Sequence, residues 1–189
     1  MNQTPSHSCL FILSGEHDTL PQAEVKAILE AEGFPFIFRE QRERTLLAKV
    51  PPAGAQRAVQ RAALVNSAST VEMKETSEVP NILRSLKELD FSQWLQPKAK
   101  FGVKVTRLQR EPVPIDVDAL QGEIGSIIWQ SLDGRVKVDL KRPNVLFLGV
   151  IVGEWFFFGV HLASRDRVGF SQRRSPLRPF FVPSAIHPQ

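Results

Sequence analysis

Cysteine is almost absent from this chain. Cys9 is the only one, which excludes an internal disulfide and any zinc site built on cysteine pairs. A buried, inert thiol in a strand is its expected state. Long apolar runs are missing too: none approaches the roughly 18 residues that a membrane-crossing helix requires. The opening MNQTPSHSC has neither the charged start nor the cleavage pattern of a secretory signal. Together these absences predict a cytoplasmic protein with no membrane partner.

The marks of catalysis are equally scarce. His7, His17, His161 and His187 are scattered, with no acid or cysteine at metal-ligand spacing, so no metal is expected. Asp116 and Asp118 could suit a cation, but a helix cap accounts for them more simply. No serine stands in a nucleophile elbow, and no glycine-rich loop follows a strand as a nucleotide fold requires. The GEIG at 122–125 falls inside a helical stretch, where it cannot cradle phosphates. The residues therefore predict a chain that catalyses nothing by itself and holds no cofactor.

What is present is a globular composition and a lopsided charge. A chain of 189 residues suits one domain or two small ones, and apolar residues are spread along both halves. Residues 1–97 carry 10 Lys and Arg against 12 Asp and Glu, a balance of −2, whereas residues 98–189 carry 14 against 8, a balance of +6. Cations clustered on one surface raise local affinity for phosphates. The second half thus points to a polyanion.

Hydrophobic periodicity orders the first half. Residues 9–14 (CLFILS) read as a strand. Residues 20–32 read as a helix with Leu20, Ala23, Ala27, Ile28 and Ala31 on its apolar face, Pro21 in its first turn and Gly33 at its stop. Residues 34–39 and 45–50 are strands around the charged turn EQRER, 53–64 is an alanine-rich helix, and 67–74 returns to strand. The order strand, helix, strand, strand, helix, strand is that of a ferredoxin-like domain.

Residues 77–80 form the expected joint. Short helices follow at 81–88 and 91–95, then a strand at 101–107 (FGVKVTR) whose Phe101, Val103 and Val105 face inward. Asp116 or Asp118 caps the next helix, with Leu120, Ile124, Ile127, Ile128 and Leu132 as its apolar stripe. Its opposite face holds Gly122, Gly125, Ser126 and Trp129. Each interior glycine costs about 1 kcal/mol relative to alanine. Tight packing against another element is the expected reason, with a ligand or RNA backbone as the alternative. Residues 136–140, 145–152 and 155–162 are strands, the last two joined by a Gly153-Glu154 hairpin. In such a strand Phe156 and Phe158 face opposite to Phe157, so the three build core and not one base-stacking platform.

The order FGVKVTR, a helix with EIGSII, VKVDLKRPNVLFLGVIV and then RRSPLRPFF resembles the THUMP domain of RNA-modifying enzymes. More narrowly it resembles the N-terminal half of archaeal and eukaryotic tRNA guanine-N2 methyltransferases acting on guanosine ten, over about residues 79–188. The resemblance implies an α+β chain. A ferredoxin-like domain (1–76) precedes a THUMP domain (77–164), and an extended Pro/Arg-rich linker (165–189) leads towards a methyltransferase domain that is absent here. It also implies tRNA as the partner, bound at its acceptor or 3′ end. The Asp/Asn-Pro-Pro-aromatic motif of the catalytic domain is missing, since the only Pro-Pro, Pro51-Pro52, lies between Val50 and Ala53. S-adenosylmethionine is therefore expected in the missing domain, supplied in cis or by a separate subunit.

The RNA-facing groups expected on this reading are Lys104 and Arg107 in the first THUMP strand, and Lys137, Lys141, Arg142 and Asn144 around VDLKRPN. Arg165, Arg167, Arg173, Arg174 and Arg178 in the tail complete the set. Arginine can grip phosphate through two N–H groups and stack on an unpaired base. Two other readings stand beside this one. The chain could be a stand-alone adaptor that presents tRNA to a separate enzyme, or a protein-interaction domain with no RNA role.

Overall fold

The computed structural model describes residues 7–108 and 115–165. Its first half runs β1 (His7–Leu13), α1 (Leu20–Ala31), β2 (Ile37–Arg42), β3 (Thr45–Val50), α2 (Pro52–Arg61) and β4 (Val65–Thr70). Pro21 and Pro52 each sit in the first turn of their helix, where a missing N–H is harmless. Neighbouring strands are antiparallel in the order β2-β3-β1-β4. Alternate residues of β1 (Cys9, Phe11 and Leu13) pack with Val25 and Leu29 of α1 and Ala55 and Val59 of α2 in one core. The Cys9 thiol is buried, which pushes its pKa up to about 12, with the charge of Glu72 adding to the shift.

The face of α1 differs from expectation. Pro21, Val25 and Leu29 are the buried residues, whereas Leu20, Ala23, Ala27 and Ala31 are exposed. Alanine gains little from burial, so two large side chains set the helix rotation. The Glu24 carboxylate then reaches the α2–β4 connection and accepts the N–H groups of Ala63 (2.7 Å) and Leu64 (2.8 Å).

The second half runs β5 (Met73–Thr76), α3 (Val79–Lys87), a short 3-10 turn (Phe91–Gln93), β6 (Lys100–Arg107), α4 (Val117–Ser131), β7 (Lys137–Val138), β8 (Val145–Val152) and β9 (Trp155–Ser164). Asp116 caps α4 by accepting the N–H groups of Asp118 and Ala119. The stripe Leu120, Ile124, Ile127 and Ile128 is buried with Ile82 and Leu86 of α3 over Phe101, Val103, Phe147, Phe156 and Phe158. Phe147 stacks on Phe158 at 5.5 Å, and Phe91 meets Phe147 edge-on at 5.6 Å. Phe157 faces the other way and joins a different core, as strand alternation requires.

Both halves share one mixed sheet, in the order β2-β3-β1-β4-β9-β8-β6-β7. The junction is β9, which pairs with β4 near its end (Ser67 opposite Ser164) and with β5 near its start (Met73 opposite Phe158). Gly159 lies at the crossing, where an added Cβ would stand 1.9 Å from the Thr70 carbonyl oxygen. On the sheet face away from the helices, Leu10 and Ile12 pack with Leu148, Val150, Val152 and Phe157. Lys74 ties that face together, 3.2 Å from Glu40 of β2 and 4.4 Å from the Trp155 ring centroid. Among the described residues no helix is long and apolar enough to cross a membrane.

Candidate nucleic-acid interface

The loop after β7 is built around one carboxylate. Asp139 Oδ1 accepts the N–H groups of Lys141 (3.0 Å) and Arg142 (2.9 Å), and Oδ2 takes the Lys100 ammonium at 2.9 Å. Aspartate favours such turns because its side chain can accept from backbone two and three residues on. These donors, the Arg142 N–H foremost, hold the Asp139 carboxyl at a pKa of about 2. Asn144 closes the loop: its Oδ1 accepts the Lys100 N–H at 2.8 Å, while its own N–H donates to the Lys100 carbonyl at 2.7 Å. The backbone is thus engaged inward and the Lys141 and Arg142 side chains are exposed, with Lys137 exposed on the adjoining strand.

The structure separates the sequence-derived residues into groups. Lys137, Lys141, Arg142 and Asn144 gather at the β6–β7 edge. Arg107 turns towards the start of α4, where Nη2 donates to the Ile115 carbonyl. Lys104 is exposed on the opposite face of β6 from Phe101 and Val103. It lies close enough to His161 to add to the burial that lowers the imidazole pKa. Arg165 donates to the Ala63 carbonyl through Nη1 and to the Asn66 carbonyl (2.8 Å) through its backbone N–H. Arg167, Arg173, Arg174 and Arg178 lie outside the described residues.

Beside the cationic loop runs a groove of about 600 Å³ between α4 and the β6–β7 edge. Phe101 and Val103 floor it, and Gly122, Gly125, Ser126 and Trp129 line its helical wall, with Val138 and Leu140 opposite. Trp129 is 48% exposed, Val138 58% and Leu140 67%. Solvent exposure of this size on three large apolar side chains at one groove is a mark of an interaction site. The expected packing of Gly122 and Gly125 is not observed: a Cβ added at either meets nothing within 4 Å. Gly134 (φ +68°) backs the indole, since a Cβ there would lie 2.7 Å from Trp129 Cζ2. Val138 and Leu140 escaped sequence reasoning because they share strand parity with Val136, which is buried.

Residues 77–160 match the family model described as THUMP domain. The chain is 28% identical over 180 residues to the tRNA (guanine(10)-N2)-dimethyltransferase of Methanothermobacter thermautotrophicus, covering 95% of this chain and 51% of that protein. It is 27% identical over 195 residues to the Methanocaldococcus jannaschii enzyme of the same name, covering 95% and 54%. The chain thus spans about half the length of these curated relatives. Among solved structures it is similar to TrmN from Thermus thermophilus, with a TM-score of 0.58 and 20% identity over 88% of this chain and 48% of that one.

Among the described residues the positive-φ glycines Gly33 and Gly134 follow helices and Gly153 sits in a hairpin, so none of them forms a strand-to-helix turn of the dinucleotide-binding kind.

Proposed function

We propose that this chain, which carries a THUMP domain and is homologous over 95% of its length to archaeal tRNA (guanine(10)-N2)-dimethyltransferases, is the tRNA-recognition part of such an enzyme. The observation that carries the reading is that homology, which covers this chain almost end to end and about half of each relative. It favours this role over a stand-alone adaptor. On this reading residues 1–76 form a ferredoxin-like unit, supported by the strand order β2-β3-β1-β4, and 165–189 a linker. Methyl transfer belongs to a further domain, joined in cis or supplied as a separate subunit, where S-adenosylmethionine binds.

The acceptor end of tRNA is the proposed contact. Lys137, Lys141 and Arg142 supply positive charge beside a groove that mixes apolar side chains with Asp118, Gln121, Ser126 and Gln130, a pairing that suits a sugar–phosphate chain with exposed bases. Binding should be measured for whole tRNA and for tRNA lacking its single-stranded 3′ end. Equal affinity for the two would remove end recognition. Affinity indifferent to salt would remove phosphate contacts, since counterion release makes such binding fall as salt rises.

A further inference from the structure

We propose that Asp139 and Asn144 are positioning residues for tRNA binding: they fix the loop 139–144 so that Lys141 and Arg142 meet phosphates already in place. The proposal rests on the tRNA-binding reading and moves Asn144 from the expected RNA contacts to their support. Both ends of the loop are pinned to the start of β6. The Asp139 N–H donates to the Phe101 carbonyl at 2.8 Å, and Asn144 exchanges two bonds with the Lys100 backbone, through its side-chain oxygen and its own N–H. Gly102 lets the loop lie flat, since a Cβ there would stand 3.3 Å from the Asp139 carbonyl oxygen and 3.5 Å from Pro143 Cγ. Between the pinned ends the Lys141 and Arg142 N–H groups turn inward to Asp139 Oδ1, and their side chains are left exposed.

No side chain of residues 139–144 is buried, so this order adds nothing to a core. What it delivers is two cations at fixed places. A free loop and its long side chains must be ordered when they bind, and ordering them beforehand removes part of that cost. Charge sharpens the case. Two acids stand among these cations, Asp118 on the groove wall and Asp139 in the loop, and each subtracts from the attraction of the surface for a polyanion. The Asp139 side chain is 23% exposed, and its two oxygens are occupied by two backbone N–H groups and the Lys100 ammonium. Its field is answered locally while its geometry is kept. Plain electrostatics and positioning therefore predict opposite signs when Asp139 is removed.

The test measures binding of the full chain to whole tRNA at several salt concentrations. It compares wild type, D139A, D139N, N144A and K141A/R142A, with D139A also placed on the K141A/R142A background. D139A should weaken binding about fivefold, the scale of ordering one or two interface side chains, and flatten its salt dependence although a negative charge has gone. D139N keeps an oxygen for the Lys141 and Arg142 N–H groups and should recover much of that loss. N144A changes no charge, so a loss of about two- to threefold there is one of geometry. On the K141A/R142A background D139A should weaken nothing further, because its effect runs through those cations. Tighter binding by D139A and D139N alike would overturn the proposal in favour of a plain field effect. Equal weakening by D139A with and without the two cations would also overturn it, assigning Asp139 to the fold. If D139A does not fold, unchanged affinity in N144A together with tighter binding in D139N refutes the proposal. If wild type binds in a salt-dependent way and K141A/R142A binds as well, the proposal falls and the tRNA-binding reading stands. No binding by wild type refutes both.

Discussion

Replacing Gly122 and Gly125 together by alanine should make the protein more stable, an unusual expectation for residues inside a helix of a packed domain. Each glycine costs a helix interior about 1 kcal/mol relative to alanine. That gain is normally cancelled when the new methyl group collides with a neighbour. Here a Cβ at either position meets nothing within 4 Å, so no collision subtracts from it. The one side-chain bond at the site, from Ser126 Oγ to the Gly122 carbonyl at 3.0 Å, uses backbone that alanine retains. The two changes therefore sum to about 2 kcal/mol. At roughly 2–4 °C per kcal/mol for a chain of this size, the melting temperature should rise by about 4–8 °C. Thermal unfolding followed by circular dichroism measures this, and urea unfolding should move its midpoint upward at constant slope. A melting temperature below wild type would refute the reasoning, because it would mean that the glycine face is packed in the folded protein.

Other perturbations give equally direct readings. E24A should destabilise by about 1–3 kcal/mol, because the Ala63 and Leu64 N–H groups lose their acceptor in a partly buried site; urea unfolding of E24A and E24Q checks it. G159A should lower stability by about 3 kcal/mol or more, since its methyl would strike the Thr70 carbonyl, and thermal melting reads the effect. Asp139 titrates lower in the folded protein than in the unfolded chain. Its contribution is therefore present above the unfolded value of about 4 and is lost as pH falls through about 2. Hydrogen exchange at the Lys141 and Arg142 amides should quicken over that window and in D139N at neutral pH. Replacing Lys141 and Arg142 by alanine should flatten the salt dependence of tRNA binding, by about one unit for each phosphate that these cations neutralise.

The elements most legible in the sequence were those whose large side chains repeat cleanly. The stripe of α4 and the opposed phenylalanines of β9 lie where periodicity placed them. Residues 67–74 looked like one strand because every residue there tolerates extended backbone. The structure breaks them after Thr70: the Val71 N–H donates to the Ser8 carbonyl and the Glu72 N–H to the Phe158 carbonyl. Past Thr70 the chain exchanges a place between β1 and β9 for pairing with β9 alone, with Met73 opposite the distant Phe158. Local pattern contains no trace of that exchange. The cations posed a similar problem. Lys141 faces solvent while Arg107 and Arg165 hold carbonyls of the fold, a distinction set by tertiary neighbours and invisible in composition. The groove was half legible: the glycines and Trp129 stood out on their helix, but the wall opposite them did not.

The position of β9 bears on how the chain is made. The outer edge of β4 is sealed only by residues 161–164, and the apolar side of β1, Leu10 and Ile12, waits for Leu148, Val150, Val152 and Phe157. During synthesis the first half therefore emerges with its helices able to dock and the outer edge of its last strand unpaired. At roughly 5–20 residues per second, about 5–20 s separate the appearance of β4 from that of its partner. An unpaired edge is a template for unwanted strand addition. A nascent chain stalled before Trp155 would expose that edge, and with it a patch of the interior, to every other protein around the ribosome.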